Sequence, residues 1–427
     1  MQIGICGLGT VGSGAFNLLA GNRDEIYRRT AVEIRVVQVG CRRDHPDCDL
    51  SATNVTRDIF EVVNNPEVDI VLELIGGTDD ALKLVLAAVR NGKHVVTANK
   101  ALIAEHGSEI FSAAAGMGVQ LRYEAAIAGG IPVVKAVREG LAANRIEWIA
   151  GIINGTSNYI LTEMARPGSN LDFADVLKEA QNLGYAEADP TFDVEGIDAA
   201  HKLTILSSIA FGVPLRFDDI YTEGISAITA GDISYAGELG YAIRHLGITR
   251  RVGDAVELRV HPCLVPQDQM LARVNGVMNA VMAGSDQAGP TMYYGAGAGS
   301  GPTASAVIAD VIDIIRSDGI HNVANLGFLP EAIQSKPVLN IEEVTGSAYL
   351  RMVVADKAGV MAKISTILSQ HGISIEALMQ KETHGEDAHV VIITNEVLEK
   401  SLNAAIRELS SLEESMAEVA RIRIADL

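Results

Sequence analysis

Residues 1–14 read MQIGICGLGTVGSG. The apolar run Gln2–Cys6 meets Gly7-Leu8-Gly9-Thr10-Val11-Gly12 directly, and Ala15, Phe16, Leu18 and Leu19 then recur at helical spacing. That order is strand, tight turn, helix start. In this context GxGxxG lets the backbone turn sharply and come close to a pyrophosphate seated on the helix N-terminus. A glycine turn that merely packs is the alternative, and the placement right after an N-terminal strand weighs against it. An α/β fold opening on a Rossmann domain follows.

The alternation continues outward. Val32–Val39 reads as the second strand and runs into Gly40-Cys41-Arg42-Arg43. An NAD-preferring domain places an acid there for the ribose 2′-hydroxyl; Arg42 and Arg43 suit a 2′-phosphate, so NADP is favoured, while Asp44 keeps NAD open. A solvated turn is the plain reading of the same arginines. Ile70–Leu74, His94–Thr97 and Val119–Tyr123 are further strands, and Asp79–Asn91 is a helix. Ligands of open α/β sheets lie beyond the carboxyl ends of the strands, where Thr78, Asn99, Lys100 and Glu124 stand. A lysine at a helix start opposes the dipole, so Lys100 has a task to expect there, on cofactor or substrate.

Composition bounds the rest. The chain has 427 residues, which at roughly 150 per domain means two or three domains. Its net charge of −20 argues against nucleic acid and anionic membrane as partners. No apolar run approaches the ~20 residues of a membrane span. The N-terminus lacks the basic start and cleavage site of a signal peptide. Cys6, Cys41, Cys48 and Cys263 show no CxxC spacing. That is cysteine usage of a reducing cytoplasm, with neither a disulfide framework nor a zinc site.

A second stretch carries the chemistry: NLGYAEADPTFDVEGIDAAHKLTIL, residues 182–206. Glu187, Asp189, Asp193 and Glu195 precede an apolar helix that bears Asp198 and Lys202 four residues apart, on one face. A lysine held by a carboxylate suits proton transfer. Spacing alone supports equally a surface ion pair worth only ~0.3–0.5 kcal/mol. Upstream, Ile146–Ile153 alternates as a strand, and the polar loop Asn154–Tyr159 can cap a helix over Ile160–Ala165 or meet a small polar ligand. Strands at Ala255–Pro262 and around Leu271–Met282 predict a mixed sheet with helices on one side. The glycine-rich run 293–302 leads into a helix over Thr303–Arg316, and reads either as backbone that approaches a cofactor or as a hinge. From Tyr349 the order is βαββαβ, the ferredoxin-like split motif, through strands Tyr349–Val354, Ile373–Gln380, His389–Thr394 and Val419–Ile424 and helices Val360–Gln370 and Leu402–Leu412. His384 and His389 read there as isolated surface residues. Asp356 and Gly359 lie where a helix opens, a place that can hold an amino acid.

With GLGTVGSG at 7–14, TANKALIA at 97–104, EAAIAGGIP at 124–132, GIINGTSNYIL at 151–161, GYAEADPTFDVEGIDAAHKL at 184–203 and GAGAGSGPTASAV at 295–307, the chain resembles the homoserine dehydrogenase family along nearly its whole length, and ends in a segment that looks like an ACT domain. The resemblance implies a Rossmann domain at 1–132, a catalytic and dimerisation domain of α+β mixed-sheet type at 133–318 whose helix 303–316 packs back on the first, a linker at 319–346 and an ACT domain at 347–427. No kinase segment precedes the glycine loop, as in the monofunctional form. The implied activity is reversible NAD(P)H-linked reduction of L-aspartate 4-semialdehyde to L-homoserine, on the route to threonine, isoleucine and methionine. By motif, Lys202 is the implied general acid and Lys100 the second candidate. Glu187 and Asp198 bind the substrate ammonium and order Lys202. Gly9, Thr10, Val11, Thr78 and Gly299 line the cofactor. A monovalent cation, usually sodium in the family, is held by Glu124 and the carbonyls of Ile127, Gly129 and Ile131; oxygen-only ligation fits a hard cation. A homodimer or homotetramer is expected, with threonine as feedback effector through the ACT domain. An amino-acid-sensing protein on a Rossmann scaffold is the reading from another class. An acylating semialdehyde dehydrogenase would need an activated cysteine, and none of the four stands in a setting that would activate it.

Overall fold

The computed structural model describes residues 1–169, 171–317, 325–382 and 387–426. Its first sheet holds β1 (Gln2–Cys6), β2 (Arg35–Gly40), β3 (Asn54–Thr56), β4 (Ile70–Glu73), β5 (His94–Thr97) and β6 (Leu121–Arg122), all parallel, in the order β3-β2-β1-β4-β5-β6. β2 starts at Arg35 rather than Val32, and the edge strand β3 was not foreseen: Asn54–Thr56 is too short and polar to register as a strand. The order reverses between β1 and β4, which puts the ligand crevice above their carboxyl ends.

Helices cover both faces of this sheet, so β1 is apolar on both sides; Ile3, Ile5 and Cys6 are fully buried. Gly7 has φ +96°, and a Cβ on Gly12 would stand 2.0 Å from the Gly7 carbonyl oxygen. The turn therefore needs glycine at both positions. The helix Ser300–Arg316 lies across the first helix, Thr10–Gly21. Ser300 Oγ donates to the Thr10 carbonyl at 2.8 Å, and Ala304, Val307 and Val311 share a core with Ile3, Leu8 and Phe16. It begins three residues earlier than the apolar pattern suggests.

The second sheet is mixed. It runs through the strands Gly289–Ala296, Met278–Ser285, Ile146–Ile152, Tyr241–Val252 and Ala255–Pro266, with the short strand Tyr221–Thr222 on the side. Two expectations shift here. The segment around Leu271 is a 3-10 turn, and the strand begins only at Met278, because Gly276 breaks the run at φ +63°. Tyr293–Gly295 belongs to a strand, not to the glycine loop. One face of this sheet carries the helix Ile197–Phe211, buried from Asp198 to Phe211. The other carries Ala150, Ile152, Leu246, Ile248 and Val265, with Trp148, Met282 and Met292 half-buried at its margin.

The sheet does not stop at the C-terminal module. Ala255–Pro266 pairs in parallel with Ala420–Ile424, through Cys263↔Arg423 and Leu264↔Ile424, and the module's strands Ala348–Ala355, Asp387–Thr394 and Ile375–Glu382 follow. With helices Val360–Gln370 and Glu399–Ser410 these complete the βαββαβ order. Pro337, within the stretch read as linker, accepts from Val256 N at 2.9 Å. Ion pairs reinforce the joint: Arg423 bridges Glu223 (2.7 Å) and Glu399 (2.6 Å), and Arg351 meets Asp232 at 2.6 Å. His389 is not a free surface residue; it is half-buried and its Nδ1 lies 2.8 Å from the Tyr235 hydroxyl. His384 falls outside the described residues. Among the described residues no helix is long and apolar enough to cross a membrane.

Candidate active site

The helix Ile197–Phe211 starts at Gly196, in the left-handed region at φ +83° and boxed in by His245, Thr222 and Val260. This start turns Asp198 and Lys202 inward. Lys202 Nζ donates to Asp198 Oδ2 at 2.6 Å and to the Ile153 carbonyl at 2.7 Å. Asp198 is 4% exposed and Lys202 8% exposed, so the surface-pair reading is excluded by burial.

Two further loops complete the group. Asn154 caps the helix Gly155–Met164 by accepting from Ser157 N, five residues before the expected start at Ile160. Its Nδ2 donates to Asp198 Oδ2 at 2.8 Å and to Asp193 Oδ1 at 2.7 Å. From the Rossmann side, Lys100 opens the helix Lys100–Met117 and reaches Asp198 Oδ1 at 3.0 Å. Its ammonium also stands 5.6 Å from the centre of the Phe192 ring. One carboxylate thus joins two lysines from two domains.

Burial alone would push the Asp198 carboxyl up. The ammonium groups of Lys202 and Lys100, with hydrogen bonds from Lys202 and Asn154, instead hold it well below the usual range. Burial lowers Lys202 from its ordinary value; Asp198 opposes that and Lys100 adds to it. The result is a buried ammonium that gives up its proton more easily than a free lysine. Asp193 is raised, chiefly by burial. Three of the cysteines are poor nucleophiles: burial raises Cys6, Cys48 and Cys263, the last to about 12.

The remaining expected residues fall as follows. Glu187 is exposed and makes no ion pair with Lys202 among the described residues; its carbonyl accepts from Gln181 Nε2 at 3.0 Å. Asp189 caps Thr191 N, and Glu195 accepts from Ser226 Oγ. Gly9 has open space where a Cβ would point, and Thr10 and Val11 start the helix there. Arg42 and Arg43 are exposed beyond β2, while Asp44 pairs with Arg57. Thr78 precedes the helix Asp79–Arg90 after Gly76 and Gly77, both at φ +73°. Gly299, at φ +114°, precedes the helix that crosses the cofactor turn. Glu124 is buried; its two carboxylate oxygens accept from Val134 N (2.9 Å) and Lys135 N (2.8 Å). Ala128 and Gly129 follow it at φ +52° and +53°, folding the 127–131 backbone into a tight turn. Ile131 O accepts from Val133 N at 2.8 Å. Among the described residues no group of three or more His, Cys, Asp or Glu could hold a metal.

Sequence reasoning missed Glu73. It is fully buried at the end of β4, accepting from Thr97 Oγ1 (2.5 Å) and Ile75 N (3.0 Å). Thr97 in turn accepts from Asn99 N at 2.9 Å, and Asn99 Nδ2 donates to the Gly77 carbonyl at 2.6 Å. Glu73 thereby ties together the turns that carry Thr78 and Lys100. A lone acid inside the apolar run IVLEL was the available signal.

A dinucleotide-binding sheet whose strand ends meet a buried lysine–carboxylate pair defines a nicotinamide-dependent oxidoreductase. Three family models match: "Homoserine dehydrogenase, NAD binding domain" over residues 7–124, "Homoserine dehydrogenase" over 132–312 and "ACT domain" over 348–414. A homoserine dehydrogenase of Pseudomonas aeruginosa is 57% identical, covering 100% of this chain and 99% of that protein. One from Neisseria gonorrhoeae is 50% identical over 100% and 99%. The crystal structure of a homoserine dehydrogenase from Thiobacillus denitrificans superposes with a TM-score of 0.94 at 52% identity, covering 100% of this chain and 98% of that one. The chain belongs to the homoserine dehydrogenase family. It is an NAD(P)-dependent enzyme that interconverts L-aspartate 4-semialdehyde and L-homoserine.

Proposed function

We propose that Lys202 is the general acid of aldehyde reduction and that Asp198, with Asn154, holds it in place. The observation that carries this is the buried Lys202–Asp198 bond of 2.6 Å, which Lys100 joins from the cofactor-binding sheet at 3.0 Å. When bound, the cofactor supplies hydride to the aldehyde carbon. The alkoxide oxygen so formed needs a proton and a nearby positive charge. Lys202 Nζ gives the proton, and Asp198 keeps its negative charge throughout, stabilising the ammonium before and the recharged lysine after. Lys100 supplies the second positive charge. Glu187 and Asp198 take the substrate ammonium. Glu187 is exposed on the loop that leads to Asp193 and the helix Ile197–Phe211.

On the cofactor side, the reading is that Gly7, Gly9, Thr10, Val11, Gly12, Thr78, Lys100 and Gly299 line the dinucleotide, and that Arg42 and Arg43 favour NADP. What supports it is the bare helix N-terminus at Gly9 and the absence of an acid in that helix's first turn. A hyperthermophilic archaeal homoserine dehydrogenase in complex with NADPH also superposes, with a TM-score of 0.63 at 25% identity, over 76% of this chain and 99% of that one.

Three assignments of partners belong to the same reading. A sodium ion fits the oxygen donors of Glu124, Ile127, Gly129 and Ile131, because the donor set is oxygen only and its carboxylate is buried. Subunits pair as a homodimer or homotetramer; the half-buried Trp148, Met282 and Met292 on the face of the mixed sheet opposite the helix Ile197–Phe211 support this. Threonine acts at the exposed Asp356–Gly359 loop, which opens the helix Val360–Gln370, and the sheet shared through Cys263↔Arg423 supports a route to the site. All four cysteines are free, in keeping with the cytoplasm. The domain division at 132, 318 and 346 is part of this reading. Threonine titration of wild type and Asp356→Ala tests the regulatory part: the half-inhibiting concentration should rise about tenfold or more, and identical curves would sink it.

A further inference from the structure

Asn279 lies on the strand Met278–Ser285, opposite Gly295, and is 1% exposed. Neither its Oδ1 nor its Nδ2 has a hydrogen-bond partner among the described residues. A buried primary amide with both ends unpaired is costly, and natural cores seldom keep one. Leucine has the same branching and heavy-atom count and carries no polar group to leave unpaired.

Its neighbours suggest why it stays polar. The amide occupies the place of a side chain at Gly297: a Cβ there would meet Asn279 Cγ at 2.1 Å and Nδ2 at 2.2 Å. A Cβ on Gly155, next to Asn154 of the active site, would stand 3.6 Å from Asn279 Oδ1. A Cβ on Gly129 would lie 2.5 Å from the Gly297 carbonyl oxygen. Gly155 and Gly297 thus let two backbone segments close on one amide, and Gly129 lets a third pack behind Gly297. From Gly297 the loop runs on to Ser300, which is bonded to Thr10 at the cofactor turn.

We propose that Asn279 is a positioning residue of the cofactor site. When dinucleotide binds, the 297–299 backbone, already packed against the amide, turns so that it gives an N–H to Oδ1 and accepts from Nδ2. The glycine loop is then held by bonds that the free enzyme does not make. Asn279 acts through this backbone and touches no reacting atom. The inference rests on the reading that the loop at Gly299 lines the cofactor.

The test uses the full chain and NADPH as probe, with Asn279→Leu and the smaller Asn279→Ala. Thermal unfolding is measured with and without NADPH, together with KM and kcat for aldehyde reduction. The expected result is an unliganded midpoint for Asn279→Leu at or above wild type, and an NADPH-induced shift reduced by about half or more in both variants. KM for NADPH should rise about tenfold, the equivalent of one or two lost hydrogen bonds, while kcat holds within about twofold. A lower unliganded midpoint with NADPH shift and KM intact would overturn the proposal and leave the amide a purely structural role. Hydrogen exchange on the wild type needs no variant: peptides spanning 295–301 should gain protection with NADPH. No gain there overturns both this inference and the reading of Gly299. Protection in wild type, with variants that bind NADPH normally, overturns only the role of Asn279.

Discussion

Lys202 is buried against one carboxylate, and this has a direct kinetic consequence. Burial lowers it below its ordinary 10.5. Aldehyde reduction needs the charged form. Reductive turnover should therefore be full below the lowered value and fall as pH rises through it, before 10.5 is reached; homoserine oxidation should rise over the same span. Asp198→Asn removes the strongest influence that raises Lys202, so the break should move to lower pH and turnover should drop. Rate profiles of both directions check this, and a reductive limb flat to beyond 10.5 would contradict it. The pair itself was legible from its i, i+4 spacing. Its burial was not, because spacing places side chains on a face without saying what covers that face. The cover comes from Asn154, 44 residues upstream, and from Lys100 on another domain.

At the scale of elements, the joint between the mixed sheet and the C-terminal module is the sharpest test of what holds the chain together. Arg423 is buried and pairs with Glu223 and Glu399. Arg423→Met leaves two carboxylates facing each other with only Arg421 to compensate. A cost on the order of 3 kcal/mol is expected, read by urea unfolding. Lys381→Ala, which breaks an exposed pair with Glu238, should change stability by less than about 0.5 kcal/mol. Equal effects would mean that this joint is not held by its buried charges. The contrast shows what sequence could carry. The longer Rossmann strands and the βαββαβ order are apolar runs bounded by turn residues, and these were read closely, whereas the short polar edge strand Asn54–Thr56 carries no such pattern. The parallel pairing of Ala255–Pro266 with Ala420–Ile424 joins strands far apart in the chain, and no local pattern encodes it. The helix start at Gly155 was missed because Thr156, Ser157 and Asn158 are polar yet buried, so a hydrophobic count placed the start at Ile160.

In the whole molecule the Rossmann sheet and the mixed-sheet part of the chain meet at the proton site, along the helices Thr10–Gly21 and Ser300–Arg316, and around the loop at Glu124. There burial raises Glu124 to about 7 and Asp310, which accepts from Glu124 N, to about 8. Both folded values lie above the ordinary 4.5 and 3.8. Stability from these groups is thus present at low pH and lost as pH rises through about 7 and 8. A sodium ion at Glu124 would offset that loss. Thermal midpoints above pH 8 should be higher with sodium than with tetramethylammonium at equal ionic strength, and a midpoint indifferent to the cation would argue against the site. The proton site makes the stronger claim, since it assigns one step to one of two lysines drawn from different domains. NADPH oxidation with L-aspartate 4-semialdehyde, compared between Lys202→Ala and Lys100→Ala at matched NADPH saturation, decides it. Turnover should fall by ~10²-fold or more in Lys202→Ala, with NADPH affinity unchanged. Near-normal turnover in Lys202→Ala beside a collapse in Lys100→Ala would contradict the account.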